Sequence, residues 1–472
     1  MSHAENSPVL PGELVQHLQS VLLDLQAHPY PEIPNPEGVP KRASVALIVR
    51  IQPNYSHWPP SPSSSESSPS ASESTKEQGP AERINRFFNQ EWVQHGDPEV
   101  LFIKRAAREG DKWTSHVALP GGRRDPEDAD DCAAAVREAW EEVGVPLSDE
   151  YAVQAGNLPQ QVVSAGWGKV PYADRKRSWG MMHRVCLADA GVRLMVLCPY
   201  IFLLTKHHGG IPPLRLQPTE VASAHWVPLR ALLAKSQRTF WYQDVSNRTS
   251  QQDFGLTRRF HQLSIGDMMF AAVRLIPSES IYCSSIAEFL PDGDRGLLYN
   301  EPLSLNHTAP LLPIRHTPTS PVDKPLLLWG LTLGIMGDFL DMMPPYNALR
   351  AWTYPTFTTL DVRLILHLMT IKFRADREKE LDGMKVALKA EEERAKREGR
   401  CPARLRLDQR RSDANSVGLL LSGYYQLVRK AVVVTFLLRG VLGALVVWAL
   451  CRRRTAEASW VGRLWQFLTC RK

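Results

Sequence analysis

The sequence predicts an α/β (α+β) chain: a mixed β-sheet with helices against it, then a C-terminal helical extension and a transmembrane helix. Three observations carry this. Ala43 to Arg50, Val100 to Ile103 and Leu194 to Leu204 are nearly continuous apolar runs of strand length, the pattern of strands buried on both faces. Ala133 to Val143 is a run of good helix formers. Ala431 to Cys451 is 21 residues of almost unbroken apolar character, and a spanning helix needs about 20.

Each element has its own grounds, taken from the N-terminus. In residues 1–41, Leu14, Leu18, Val21, Leu22 and Leu25 recur at helical spacing, so a short amphipathic helix and linker are expected, packed on the central domain. It lacks a secretory h-region, and its Glu13 and Asp24, without an Arg, fit a mitochondrial leader poorly. That central domain runs over 42–345, with a low-complexity insertion at 52–98. Within it Pro53 to Pro80 is dense in Ser, Pro and Glu and cannot bury enough apolar surface to fold. Asn157 to Arg184 and Gln243 to Ser320 are rich in turn formers and read as long loops. A charged helical extension covers 346–415. In it Ala375 to Arg400 alternates acidic and basic residues, as an exposed helix does.

The chemistry concentrates between Leu119 and Val145. A Pro-Gly-Gly turn enters a helix on which Glu138, Glu141 and Glu142 stand at i, i+3 and i+4, so the three carboxylates share one face. Their mutual repulsion becomes useful when a hard divalent cation with oxygen ligands lies between them. Mg²⁺ is the expected cofactor, with Mn²⁺ as the alternative. Arg137 opens the set and is placed to hold a carboxylate by a charge-assisted bond. Gly144 supplies the helix stop.

The segment resembles the Nudix box: Gly, five residues, Glu, seven residues, then Arg-Glu-aliphatic-x-Glu-Glu-x-Gly-aliphatic. Arg137 to Val145 matches the second half, with Ala139 small where an aliphatic is usual. In the first half, Asp128 stands where Glu is expected from Gly122, and Arg137 comes one residue late. That extra residue is similar to the coenzyme A diphosphatase branch of the Nudix hydrolases. Leu101 to Ala106 loosely matches the branch's upstream signature, Pro218 to Leu229 looks like its later strand, and Leu328 to Thr332 like the opening of its closing helix.

The resemblance implies a Nudix fold over 42–345, with the mixed sheet sandwiched between helices. It also implies Mg²⁺-dependent attack of water on a diphosphate, most specifically in coenzyme A or acyl-coenzyme A. ADP-ribose, dinucleotides, other nucleoside diphosphate conjugates and a catalytically idle binding module are the alternatives. Glu138, Glu141 and Glu142 are then the metal ligands, Glu138 doubling as candidate base, with Arg137 orienting them. The Gly121–Gly122 turn brings a backbone carbonyl near the metal. Glu220 is a further candidate base or ligand. Arg105, Arg123 and Arg124 are expected to meet substrate phosphates.

Residues 416–472 hold the membrane segment, helix 431–451, and a basic tail. Trp448 and Arg452 to Arg454 make an interfacial anchor. Arg439 is the one charge inside the run; a mid-membrane Arg costs about 2.5–3.5 kcal/mol on insertion scales, so Arg439→Leu is expected to strengthen insertion. A tail anchor with a cytosolic catalytic domain is the simplest topology. The terminal Thr-Cys-Arg-Lys is neither a prenylation box nor a peroxisomal signal. Seven scattered cysteines argue against a zinc site or disulfide framework and fit a reducing compartment. The net charge of +6 calls for no nucleic-acid partner, and nothing in the chain specifies an oligomeric state.

Overall fold

The apolar runs pair into two sheets. The computed structural model describes residues 11–35, 41–59, 79–107, 115–165, 192–244, 264–283, 325–344, 348, 353–397, 421 and 423–469. The strands are β1 (Arg42–Gln52), β2 (Asp97–Arg105), β3 (Val117–Ala118), β4 (Gly121–Arg123), β5 (Ala152–Asn157), β6 (Gln161–Ala165) and β7 (Val192–Leu204). They continue with β8 (Val221–Pro228), β9 (Arg238–Asp244), β10 (Asp267–Arg274), β11 (Glu279–Tyr282), β12 (Leu327–Trp329) and β13 (Thr356–Phe357).

The larger, nine-stranded sheet runs β11-β8-β2-β1-β7-β5, with β3 on β2, β4 on β1 and β6 on β7. β1 pairs with β7 in parallel and with β2 antiparallel, so the sheet is mixed. β1 lies inside it because both its faces are apolar. Ala46 and Ile48 enter one core, and Leu47, Val49 and Ile51 the other, as the alternation of a strand requires.

Helix α1 (Pro11–Ala27) covers one face, burying Leu14, Leu18, Leu22 and Leu25 completely. Beside it are α2 (Pro80–Phe88) and α3 (Glu91–Gln94). Helix α4 (Asp131–Val143) packs on the opposite face through Ala135, Ala139 and Val143. The sheet is thus sandwiched between helices, as the resemblance implies.

Some expected loops contain strands. The interval 157–184 includes β6, and 243–320 includes the end of β9, all of β10 and β11. β10 reads DMMFAAVR, whose Met and Ala carry little intrinsic strand preference; pairing with the distant β9 makes it a strand. The rest of those intervals lies outside the described residues. Within 52–98, residues 60–78 also lie outside them, whereas 80–94 is largely helical and β2 begins at Asp97. Pro80 at the start of α2 supplies a preset helical φ, and Ile84, Phe87 and Phe88 are buried.

After short α5 (Leu229–Leu233), the smaller sheet forms in the order β12-β10-β13, with β9 also on β10. Helix α6 (Gly330–Leu340) leaves β12 directly, where the opening of the closing helix is expected. Helix α7 (Leu360–Arg397) and helix α8 (Tyr424–Thr469) complete the described chain. The first turns of α7, ahead of the charged stretch that begins at Ala375, are packed. Val362 and Leu366 join Met268, Phe357, Tyr424, Val428, Ala431 and Val432 in a third core. α7 and α8 run antiparallel there, with Asp361 bonded to Arg439 at one end and the Phe373 and Tyr424 rings 6.0 Å apart at the other.

Candidate metal centre

Helix α4 is fixed at both ends. Asp130 caps its start, accepting the Ala133 N–H at 2.7 Å. Asp131 is buried and held by Arg42 at 2.6 Å and Arg124 at 3.2 Å, which ties the helix to β1. Gly144 ends it in the left-handed region, at φ 70°, where a glycine carries no Cβ penalty. Ala139 is fully buried against the sheet, so a small side chain suits this position of the box.

The helix presents its acids to the glycine turn. Gly121 donates its N–H to Glu142 Oε2 at 2.8 Å. An ideal Cβ on Gly122 would lie 2.4 Å from Glu138 Cδ, so the carboxyl fills the space that a side chain would take. Carboxylate oxygens of Glu138, Glu142 and Glu220 converge within 4.8 Å of one another.

Glu220 arrives by way of the helix end. Arg215 N–H donates to Val143 O at 2.9 Å and Gln217 N–H to Glu142 O at 3.0 Å, so this loop satisfies carbonyls that a helix C-terminus leaves open. Glu220 O in turn accepts from Ala106 N–H at 2.8 Å, fixing the turn before β8. Glu220, a further candidate on sequence, is therefore one of the three converging carboxylates.

Burial pushes the Glu142 carboxyl up to about 8, against the Gly121 N–H and Arg105 and with help from Glu138 and Glu220. Burial also raises Glu138, opposed by Arg137 and reinforced by Glu141 and Glu220. Crowded, desolvated carboxylates resist ionisation alone and ionise readily around a cation. The donor set, all carboxylate oxygen, fits Mg²⁺ or Mn²⁺.

Arg137 and Asp128 form the brace. Arg137 Nε donates to Asp128 Oδ1 at 2.9 Å and its terminal nitrogen to Oδ2 at 3.0 Å, a bidentate pair. The same guanidinium reaches the Arg123 carbonyl at 2.9 Å, Glu138 at 3.1 Å and Glu141 at 3.0 Å. This bond holds the Asp128 carboxyl below its usual range. Asp128, a departure from the box on sequence, is thus the residue that grips Arg137. Glu141 is turned to Arg137 and half exposed, outside the converging trio.

The three arginines expected at phosphates separate. Arg105 lies 3.9 Å from Glu142, beside the acids. Arg123 is exposed on β4. Arg124 donates to Asp131, Asp128 O and Ala129 O, which commits it to bracing the loop. Next to Arg105, whose N–H donates to His116 O, an aromatic cluster forms that sequence reading missed. Trp241 and Trp329 stack at 5.0 Å, and His116 meets Trp329 edge-on at 4.9 Å. Its members sit 213 residues apart at the extremes, and only the sheet pairings bring them together.

Residues 92–247 match the family model described as NUDIX domain. An uncharacterized protein of Schizosaccharomyces pombe is 26% identical over 410 residues, covering 86% of this chain and 88% of its own. A MutT/nudix family protein from Enterococcus faecalis is 18% identical with a TM-score of 0.20, over 42% of this chain and 47% of its own. A bifunctional NMN adenylyltransferase/ADP ribose pyrophosphatase from Francisella tularensis, complexed with AMP and a Mn ion, is 15% identical. Its TM-score is 0.19, over 45% of this chain and 38% of its own. The chain thus spans less than half the length of either solved structure. With the box on its glycine turn and helix, and the family model matched around it, residues 92–247 carry a Nudix domain.

Proposed function

We propose that the chain hydrolyses the diphosphate linkage of coenzyme A or an acyl-coenzyme A, with a divalent cation held by Glu138, Glu142 and Glu220. The observation that carries the chemistry is the convergence of these three carboxylates within 4.8 Å. When bound, Mg²⁺ would neutralise diphosphate charge and acidify a water. Gly121 orients Glu142 through its N–H, and Arg137 restrains Glu138 and Glu141. Glu138 and Glu220 are also the candidate bases, a carboxylate oxygen not turned to the cation being free to accept the proton of the attacking water. Arg105 and Arg123 meet the phosphates, and Glu141, paired with Arg137 and half exposed, supplies negative charge at the rim. Support for coenzyme A comes from the extra residue between Gly122 and Arg137 and from Arg105 beside the acids.

The full-length protein, assayed with Mg²⁺ or Mn²⁺ against coenzyme A, ADP-ribose and dinucleotides, tests this. The expected products are adenosine 3′,5′-bisphosphate and 4′-phosphopantetheine. A far higher kcat/KM for ADP-ribose or a dinucleotide would leave the chemistry and overturn the substrate.

We further propose that α8 anchors the enzyme in a membrane, with the catalytic domain on the cytosolic side. Tyr424–Arg453 has a mean hydropathy of 2.2 over its most apolar window, and only 17% of that window is buried. A core helix of a soluble protein would be covered. Retention of full-length protein in carbonate-washed membranes is expected, and its release would refute the anchor.

A further inference from the structure

α8 enters its exposed course late. Ala431, Val432 and Thr435 are buried against the domain, and residues become exposed on all sides only from Gly440 to Arg453. The apolar part of that free length, 440–451, measures about 18 Å, against a hydrocarbon core of about 30 Å. A span therefore has to draw on 431–439, and over those residues α8 lies against the first turns of α7. Whatever surrounds α8 at that depth also meets the outer side of α7.

That side is apolar. Leu360 is 78% exposed, Leu364 59%, Leu368 58% and Ile371 50%, at spacings that place them on one stripe. His367 is exposed at its edge, and the stripe ends at exposed Lys372. On α8, Arg429 and Lys430 stand near the same level, so a basic collar closes the apolar zone. At the far end are Trp448 and Arg452, with the guanidinium carbon 5.3 Å from the Trp448 ring. Basic residues and Trp at both ends of an apolar length are the pattern of a bilayer interface.

The charges within the zone are already bonded: Arg363 donates to Phe357 O at 2.9 Å and to Met269 Sδ at 3.1 Å, and Arg439 pairs with Asp361. Arg439 donates to Asp361 Oδ2 at 2.6 Å and to Ser264 O at 2.6 Å. Asp361 lies in the first turn of α7. The charge on α8 is thus answered by one on α7, at the partly exposed surface where the two helices meet, and pairing is what ionisable groups in hydrocarbon require.

Resting on the membrane reading of α8, we propose that the first three turns of α7 are immersed in the same bilayer. The anchor is then a two-helix unit closed by Asp361 and Arg439, with Leu360, Leu364, Leu368 and Ile371 against lipid acyl chains. It sets the pose of the catalytic domain, because α7 is rooted in the smaller sheet through Val362, Leu366 and Phe357.

The test uses the full-length chain, otherwise free of cysteine, with one environment-sensitive fluorophore, in vesicles of phosphatidylcholine and phosphatidylserine. Labels at Leu364→Cys, Leu445→Cys and Asp376→Cys are read with and without brominated acyl chains. Quenching at 364 and 445 but not at 376 is the expected result. Quenching at 445 alone overturns the two-helix unit and leaves a single-helix anchor. Quenching at neither position overturns the anchor as well. A blue-shifted but unquenched label at 364 places protein there, such as a second copy, and also overturns the proposal.

A second measurement needs no cysteine removal. Leu364→Glu/Leu368→Glu in the otherwise unaltered chain should raise the carbonate-extracted fraction several-fold, whereas Ala375→Glu/Lys379→Glu should not. Equal extraction for both pairs refutes the lipid contact.

Discussion

The Glu138 carboxyl occupies the space above Gly122 that any other residue would fill. A Cβ there would lie 2.4 Å from both Cδ and Oε1. Gly122→Ala should therefore push Glu138 out of the trio while the helix and sheet remain. Divalent affinity is expected to fall about 10–100-fold, as when the support of a metal ligand is lost. Mg²⁺ titration of activity, with a thermal melt as the folding control, checks it; unchanged affinity would mean the site does not use Glu138.

Removing the converging acids separates them from the outer one. Glu142→Gln and Glu220→Gln should each lower turnover ~10³-fold, the order expected when metal catalysis fails. Glu141→Gln, already outside the trio, should lose less. Equal losses at all three positions would show that Glu141 swings in when substrate binds.

Stability should depend on pH in a definite direction. In the unfolded chain Glu142 titrates near 4.5, and in the metal-free fold near 8. Between those values the folded state holds the extra proton, so this contribution is full below 4.5 and lost as pH rises through about 8. The Tm of metal-free protein should fall from pH 5 to pH 8, and less so in Glu142→Gln. The Tm gain on adding Mg²⁺ should grow over the same range, because binding needs the ionised carboxylate. A Mg²⁺ shift that shrinks with rising pH would contradict the assignment.

Away from the site, Arg50 is a buried hub. It donates to Glu99 at 2.9 Å and Glu279 at 2.7 Å, with its guanidinium carbon 4.1 Å from the Trp226 ring. Arg50→Leu should destabilise by about 3–5 kcal/mol, because Glu99 is left charged and buried. Glu99→Gln, which leaves Glu279 to pair with Arg50, should cost less. Urea denaturation distinguishes the two; similar midpoints would mean that Glu99 takes up a proton instead.

Arg439 reverses a sequence-based expectation. As an isolated charge its replacement by Leu would favour insertion, but its bond to Asp361 makes the substitution strand a carboxylate. Arg439→Leu should weaken membrane retention, and Asp361→Asn in the same chain should recover it. Carbonate extraction of the single and double variants gives the answer, and additive effects would show that the pair is uncoupled.

What could be read from the sequence is what local chemistry decides. The helix read over Ala133 to Val143 follows from its helix formers and its Gly144 stop, and the structure begins it at Asp131, behind the Asp130 cap, all within one stretch of chain. β1 and β7 announce themselves because strands apolar on both faces can only be interior. The apolar length of α8 and the leucine stripe of α1 are legible for the same reason.

The tertiary structure alone decided the partners. Glu220 joins Glu142 because a loop after β7 spends its N–H groups on the end of α4, and no spacing in the sequence encodes that bond. Arg124 looks like any loop arginine until Asp131 claims it. β10 becomes a strand only when β9 pairs with it. Asp361 answers Arg439 across 78 residues. Periodicity and capping act between near neighbours in the chain, whereas convergence of charges and pairing of strands depend on distances that exist only after the chain has closed on itself.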